Sequence, residues 1–161
     1  MIVVSNTTPL IGLAAIHRFD LLRRFFGEII IPRAVYDESV IAGREAGGAK
    51  QEILAADWIK VVAVKDRLAV DILLDELDLG EAETIVLARE INADWVLMDE
   101  RKGRRKLAQL NQQKIGTLGI LLKARQMGFL SALKPELELL RKNGFSLSQQ
   151  VMEEILRQVD E

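Results

Sequence analysis

Short apolar runs recur along the chain at Ile2-Val3-Val4, Ile29-Ile30-Ile31, Val61-Val62 and Trp95-Val96-Leu97-Met98, separated by stretches whose apolar residues return every three or four positions. Runs of that length with no polar alternation suit strands buried on both faces, and the longer period suits amphipathic helices. Strand followed by helix almost throughout predicts an α/β fold: a three-layer α/β/α sandwich with a mostly parallel, about five-stranded sheet and right-handed crossovers. At 161 residues the chain has the length of one domain with a real core.

The local punctuation supports that reading. After Ile2-Val3-Val4, the sequence Ser5-Asn6-Thr7-Thr8-Pro9 predicts a helix start, with a hydroxyl cap and proline in the first turn. Pro32 stops the second strand and opens a helix over 33–41 that contains Glu38. Residues 42–48, AGREAGG, read as a mobile loop. A strand is predicted over 58–64 and a helix over 66–76 with Leu68, Ile72 and Leu73 inward; Leu79-Gly80 closes a turn before a helix over 81–91. Lys114-Ile115-Gly116 is a minimal fifth strand, followed by a helix over 117–127. Two further amphipathic helices lie within 131–159, the second with Ser146 and Gln149 at capping-box spacing. They pack on the same domain or on a partner.

The segment 94–106, DWVLMDERKGRRK, joins a strand to two carboxylates, Asp99 and Glu100, and then to Arg101, Lys102, Arg104, Arg105 and Lys106. In open parallel sheets ligands bind just beyond the carboxyl ends of the strands, which is where Asp99 falls. Asn6 after the first strand, Glu38 after the second, and Glu81 at the start of a later helix are positioned to join it. Such hard oxygen ligands suit Mg²⁺ or Mn²⁺, and metal-assisted phosphodiester cleavage would follow. Each residue also has a structural role open to it. Asn6 is an effective helix cap, Glu38 lies in an acidic stretch suited to a solvated face, and Glu81 sits where the helix dipole favours a carboxylate. Glu83 and Glu100 read as solvated neighbours. The basic run holds no acid from Arg101 to Lys106, so its like charges repel unless an anion or another chain's carboxylates lie near. The sole histidine, His17, reads as exposed, and Trp58 and Trp95 as packing residues.

Several function classes are excluded or weakened. With no cysteine there is no disulfide framework or thiolate site, which is compatible with a reducing cytoplasm. No apolar stretch approaches the roughly 18 residues of a spanning helix, and no basic leader precedes the first apolar run. A net charge of −2 leaves any nucleic-acid affinity to a local patch.

The segments VVSNTTPLIGLA, GEIIIPRAVYDE, LGEAETIVLA, LMDERKGRRKLA, IGTLGILLKA and FSLSQQVMEEIL, in that order and spacing, resemble the PIN-domain nucleases, and among them the prokaryotic proteins akin to VapC-type toxin ribonucleases. The resemblance spans nearly the whole chain. It implies a PIN-like, Rossmann-like topology and a metal-dependent endoribonuclease in which Asn6, Glu38, Glu81 and Asp99 hold Mg²⁺ or Mn²⁺. Thr8 matches a hydroxyl residue two positions after the first acid. Thr8, Arg101, Lys102, Arg104 and Arg105 would contact single-stranded RNA. A cytoplasmic homodimer controlled by an antitoxin protein is the further implication. Asn6 departs from the family aspartate and removes one negative charge, which opens a second reading as a catalytically weakened nucleic-acid-binding or protein-interaction module. A receiver-like phosphoacceptor fits less well, because Ser5-Asn6 supplies no acid pair after the first strand.

Overall fold

The computed structural model describes residues 1–43 and 48–161; the expected mobile loop falls largely on residues 44–47, outside the described residues. The chain runs β1 (Val3–Ser5), α1 (Thr7–Ala15), α2 (Asp20–Phe26), β2 (Ile29–Pro32) and α3 (Arg33–Tyr36), which continues as a π-helical turn (Asp37–Ile41). Then come α4 (Lys50–Ala55), β3 (Ile59–Val62), α5 (Arg67–Leu73), α6 (Leu79–Glu90), β4 (Trp95–Leu97) and α7 (Arg101–Gln109). The chain ends with β5 (Lys114–Ile115), α8 (Thr117–Gln126), α9 (Lys134–Lys142) and α10 (Gln149–Arg157).

The strands form one five-stranded parallel sheet in the order β3-β2-β1-β4-β5. Side chains alternate across it with the period of two that strands impose. Val3, Ile29, Ile31 and Leu97 enter a core with α1, α2, α3, α8, α9 and α10. Val4, Val96 and Met98 enter a second core with α5, α6 and α7. The three-layer α/β/α sandwich expected from the sequence is therefore the observed one. Of the apolar residues of the last two helices, Leu137, Leu140, Met152 and Leu156 are buried in the first core, Leu139 and Ile155 pack on it partly buried, and Val151 is exposed.

Four local expectations differ. Leu68 and Ile72 on α5 are 70% and 64% exposed rather than inward, while Val70 is buried. The reason is an anchor outside the apolar pattern: Glu90 accepts from the Lys65 and Asp66 amides, Asp66 accepts from Ala69 N, and Arg67 reaches Glu83 at 2.6 Å. These bonds set the rotation of a seven-residue helix too short for two apolar contacts to outvote. Second, α6 begins at Leu79, because Asp78 and Glu81 close a reciprocal capping box. Third, Glu83 is 4% exposed rather than solvated, accepting from Ala34 N at 2.9 Å and pairing with Arg67. Fourth, α10 is capped by Ser148 rather than Ser146: its extended backbone and its hydroxyl, which accepts from Val151 N at 3.1 Å, close the first turn. His17 is exposed as expected, and Trp58 packs on Phe19 with ring centroids 5.4 Å apart.

Candidate functional site

From β1 the chain crosses toward β2 on one side of the sheet, whereas from β4 it continues to β5 on the other. The carboxyl ends of β1 and β4 thus flank the switch point, where α/β sheets open a crevice. Asn6 and Asp99 stand there. Asn6 N donates to Leu97 O at 3.0 Å, tying the two strand ends together.

Asp99 is bound to the start of α8. Its Oδ1 accepts from Thr117 N and its Oδ2 from the Thr117 hydroxyl, both at 2.7 Å. A Cβ on Gly116 would come within 2.6 Å of Asp99 Oδ1, so only glycine lets the chain approach this closely. Burial raises the Asp99 pKa, opposed by the Thr117 donors and Arg104, and Glu100 adds to the rise. Each Asp99 oxygen keeps a lone pair that Thr117 does not use.

The first turn of α1 reaches two other acids. Thr7 and Thr8 do not cap the helix, and Asn6, at the N-cap position, makes no capping bond with its side chain. Instead the Thr7 hydroxyl donates to Glu38 Oε2 at 2.8 Å and the Thr8 hydroxyl to Glu100 Oε1 at 2.9 Å. Asn6 is 3% exposed, and its amide nitrogen meets Met98 Sδ at 3.5 Å, which keeps its oxygen for another donor or a cation. Glu38 lies in the π-helical turn, a distortion that recurs at functional sites. Its carboxylate sits on the amino end of α6, so close that a Cβ on Gly80 would stand 2.5 Å from Glu38 Oε1. Partial removal from water raises the Glu38 pKa, against the Thr7 bond, with help from the nearby Asp78 charge.

Glu81 is 7% exposed, and its Oε1 accepts from Asp78 N at 2.9 Å. Burial raises its pKa against that backbone bond, and the Asp78 and Glu100 carboxylates add to the rise. The acids therefore form a chain of coupled charges: Asp78 acts on both Glu38 and Glu81, and Glu100 acts on both Glu81 and Asp99. Among the described residues no group of three or more His, Cys, Asp or Glu side chains is arranged to hold a metal ion. Mg²⁺ is nevertheless commonly held by one or two carboxylates together with waters and substrate phosphates. Glu38, Glu81 and Asp99, whose charged forms burial disfavours, and the Asn6 amide are hard oxygen donors of the kind that Mg²⁺ takes.

Beside Asp99 opens a cleft of about 630 Å³ between Thr8, Glu100 and Arg104 on one side and β5, α8 and the α9–α10 loop on the other. Arg104 points into it and donates to Met98 O at 2.9 Å. Lys102, Arg105 and Lys106 border a separate hollow with Glu76, and Arg101 is exposed. The basic run is thus split between two flanks of α7, and Glu76 brings the acid that the run itself lacks.

Sequence reasoning missed Asp78, Glu100 and Lys114. The first was visible as an Asx residue three before Glu81, a capping-box spacing. Glu100 is half-buried rather than a solvated neighbour, and nothing in its spacing announces the bond from Thr8. Lys114 lies in a strand of two residues, too short to show a face.

In comparison with known protein families, the model of a domain family described as "DUF3368: PIN domain" matches residues 2–161. No curated protein matches the chain.

Proposed function

Since the chain belongs to the PIN-domain family, whose members are generally nucleases, we propose that it is a metal-dependent endoribonuclease acting on single-stranded RNA. One observation carries this reading: Asp99 stands at the switch point of the sheet, on a cleft that Arg104 and Lys114 also line. Asp99, Glu81 and Glu38 would hold Mg²⁺ or Mn²⁺, with Asn6 as a neutral fourth donor. Bound there, the ion would supply Lewis acidity toward the phosphoryl oxygen and a more acidic water.

The chain's own residues do the rest. Arg104, anchored on Met98 O, presents its remaining donors to a phosphate and offsets charge that builds on the non-bridging oxygens. Thr117 fixes the Asp99 rotamer, and Thr7 and Thr8 fix Glu38 and Glu100. The chain would serve as the toxin half of a toxin–antitoxin pair, as a homodimer. Exposed Leu68 and Ile72 supply apolar surface of the kind a partner covers.

A second reading, a nucleic-acid-binding module without turnover, is favoured by Asn6 alone, since it takes one negative charge from the site. Cleavage of labelled single-stranded RNA and DNA with Mg²⁺ or Mn²⁺ separates the two, comparing wild type, Asp99→Asn and Asn6→Asp. The enzyme reading expects RNA cleavage by wild type and background by Asp99→Asn. It fails if wild type cuts nothing while Asn6→Asp cuts.

A further inference from the structure

We propose that the cleft beside Asp99 is a nucleotide subsite in which an unpaired base stacks on Phe145 while the adjoining phosphate rests on Lys114 and Arg104. Four of the five phenylalanines belong to aromatic pairs, Phe19 with Trp58 and Phe25 with Phe26 and Phe129. Phe145 has no aromatic partner among the described residues. It is partly buried and lines both the 630 Å³ cleft and a second hollow of about 150 Å³, which share Thr8, Gly144 and Phe145. Phe145 packs against the first core and forms part of the wall of both hollows.

The loop that carries it is held firmly. Phe145 N donates to Leu140 O at 3.2 Å, Gly144 takes a left-handed turn at φ 96°, and Leu147 is buried. The same cleft is lined by apolar Ile115 and Leu118, by the cations Lys114 and Arg104, and by the carboxylates Asp99 and Glu100. Neither cation makes a salt bridge among the described residues. An occupant that joins a flat apolar group to an anion would find both complements in this lining, the ring of Phe145 for the first and Lys114 and Arg104 for the second. A nucleotide in a single strand does so, and every base has a face to stack.

This subsite rests on the nuclease reading above, and its test keeps the two apart. Binding of a fluorescein-labelled uridine decamer is followed by anisotropy in EDTA, which prevents turnover. The expected result is a loss of about 5- to 150-fold in affinity for Phe145→Ala, recovery with Phe145→Trp, and no difference between the three proteins for an abasic decamer. Lys114→Gln should flatten the salt dependence by about 0.7 in log–log slope. Independently of any variant, irradiation of wild type with a 5-iodouridine decamer should crosslink to the peptide that contains Phe145. Equal affinity of Phe145→Ala and wild type, or crosslinks confined to other peptides, overturns the subsite and leaves the nuclease reading standing. No binding of the decamer by wild type also overturns the subsite, while the cleavage assay with Mg²⁺ or Mn²⁺ alone decides the nuclease reading.

Discussion

Replacing Thr117 by valine tests the anchoring of Asp99 directly. Valine keeps the shape of threonine and the backbone N–H to Asp99 Oδ1, and removes only the hydroxyl that donates to Oδ2 at 2.7 Å. Thr117 is fully buried, so no water stands ready to replace that donor. A hydrogen bond to a charged group contributes about 1.5–3 kcal/mol, and at about 2–4 °C per kcal/mol for a chain of this size the melting temperature should fall by roughly 3–12 °C at pH 7. The sign with pH follows from the same bond. The hydroxyl stabilises the ionised carboxylate, so the difference between wild type and Thr117→Val should be full above the raised Asp99 pKa and shrink as pH falls through it. Thermal unfolding followed by circular dichroism across pH 4–8, with Thr117→Ser as a control that keeps the hydroxyl, reads this out. A penalty that stays constant with pH would mean that Thr117 acts through packing, and an unchanged melting temperature would refute the anchoring altogether.

Other outcomes are equally specific. Gly80→Ala places a Cβ 2.5 Å from Glu38 Oε1; the carboxylate swings away only by giving up its bond from Thr7, which offsets the gain of up to about 1 kcal/mol from the helical alanine, so stability should hold or fall while RNA cleavage drops. Glu38, Glu81 and Asp99 all have folded pKa values raised above their unfolded ones, a contribution that is fully present below the unfolded values and lost as pH rises through the folded ones. Asp99→Asn should therefore be more stable than wild type at pH 7 in denaturant unfolding, although inactive. Glu83→Gln weakens the pair with Arg67, which is itself half exposed, and should cost about 2 kcal/mol in the same assay. Arg104→Ala should lower RNA affinity and flatten its salt dependence, whereas Arg105→Ala, on the other flank of α7, should leave cleft binding unchanged.

The sheet was legible because burial on both faces writes itself as uninterrupted apolar runs, and Asp99 was legible because a strand end in such a sheet faces the crevice. Glu38 and Glu81 could be named from spacing, yet their surroundings could not: the contacts of Glu38 with Thr7 and Gly80 join segments 31 and 42 residues apart. Glu83 misled for the opposite reason. An acid on an apolar helix reads as solvated unless the arginine and the free helix amide that receive it are known, and both come from other elements. The α5 face was misread because polar anchors, rather than apolar periodicity, set its rotation. The basic run looked like one patch, but a helix turns about 100° per residue, so neighbours such as Arg104 and Arg105 must look in different directions.

The adjacent hydroxyls of Thr7 and Thr8 make the entry of α1 a fixed ruler. One prong sets Glu38 on the side of β2 and the other sets Glu100 on the side of β4, with a single peptide unit between them. An inserted or deleted residue between β1 and this turn would rotate both prongs off their acids together. Length variation in relatives with the same site should therefore collect elsewhere, such as around residues 42–48, and leave the two steps from Asn6 to Thr8 untouched.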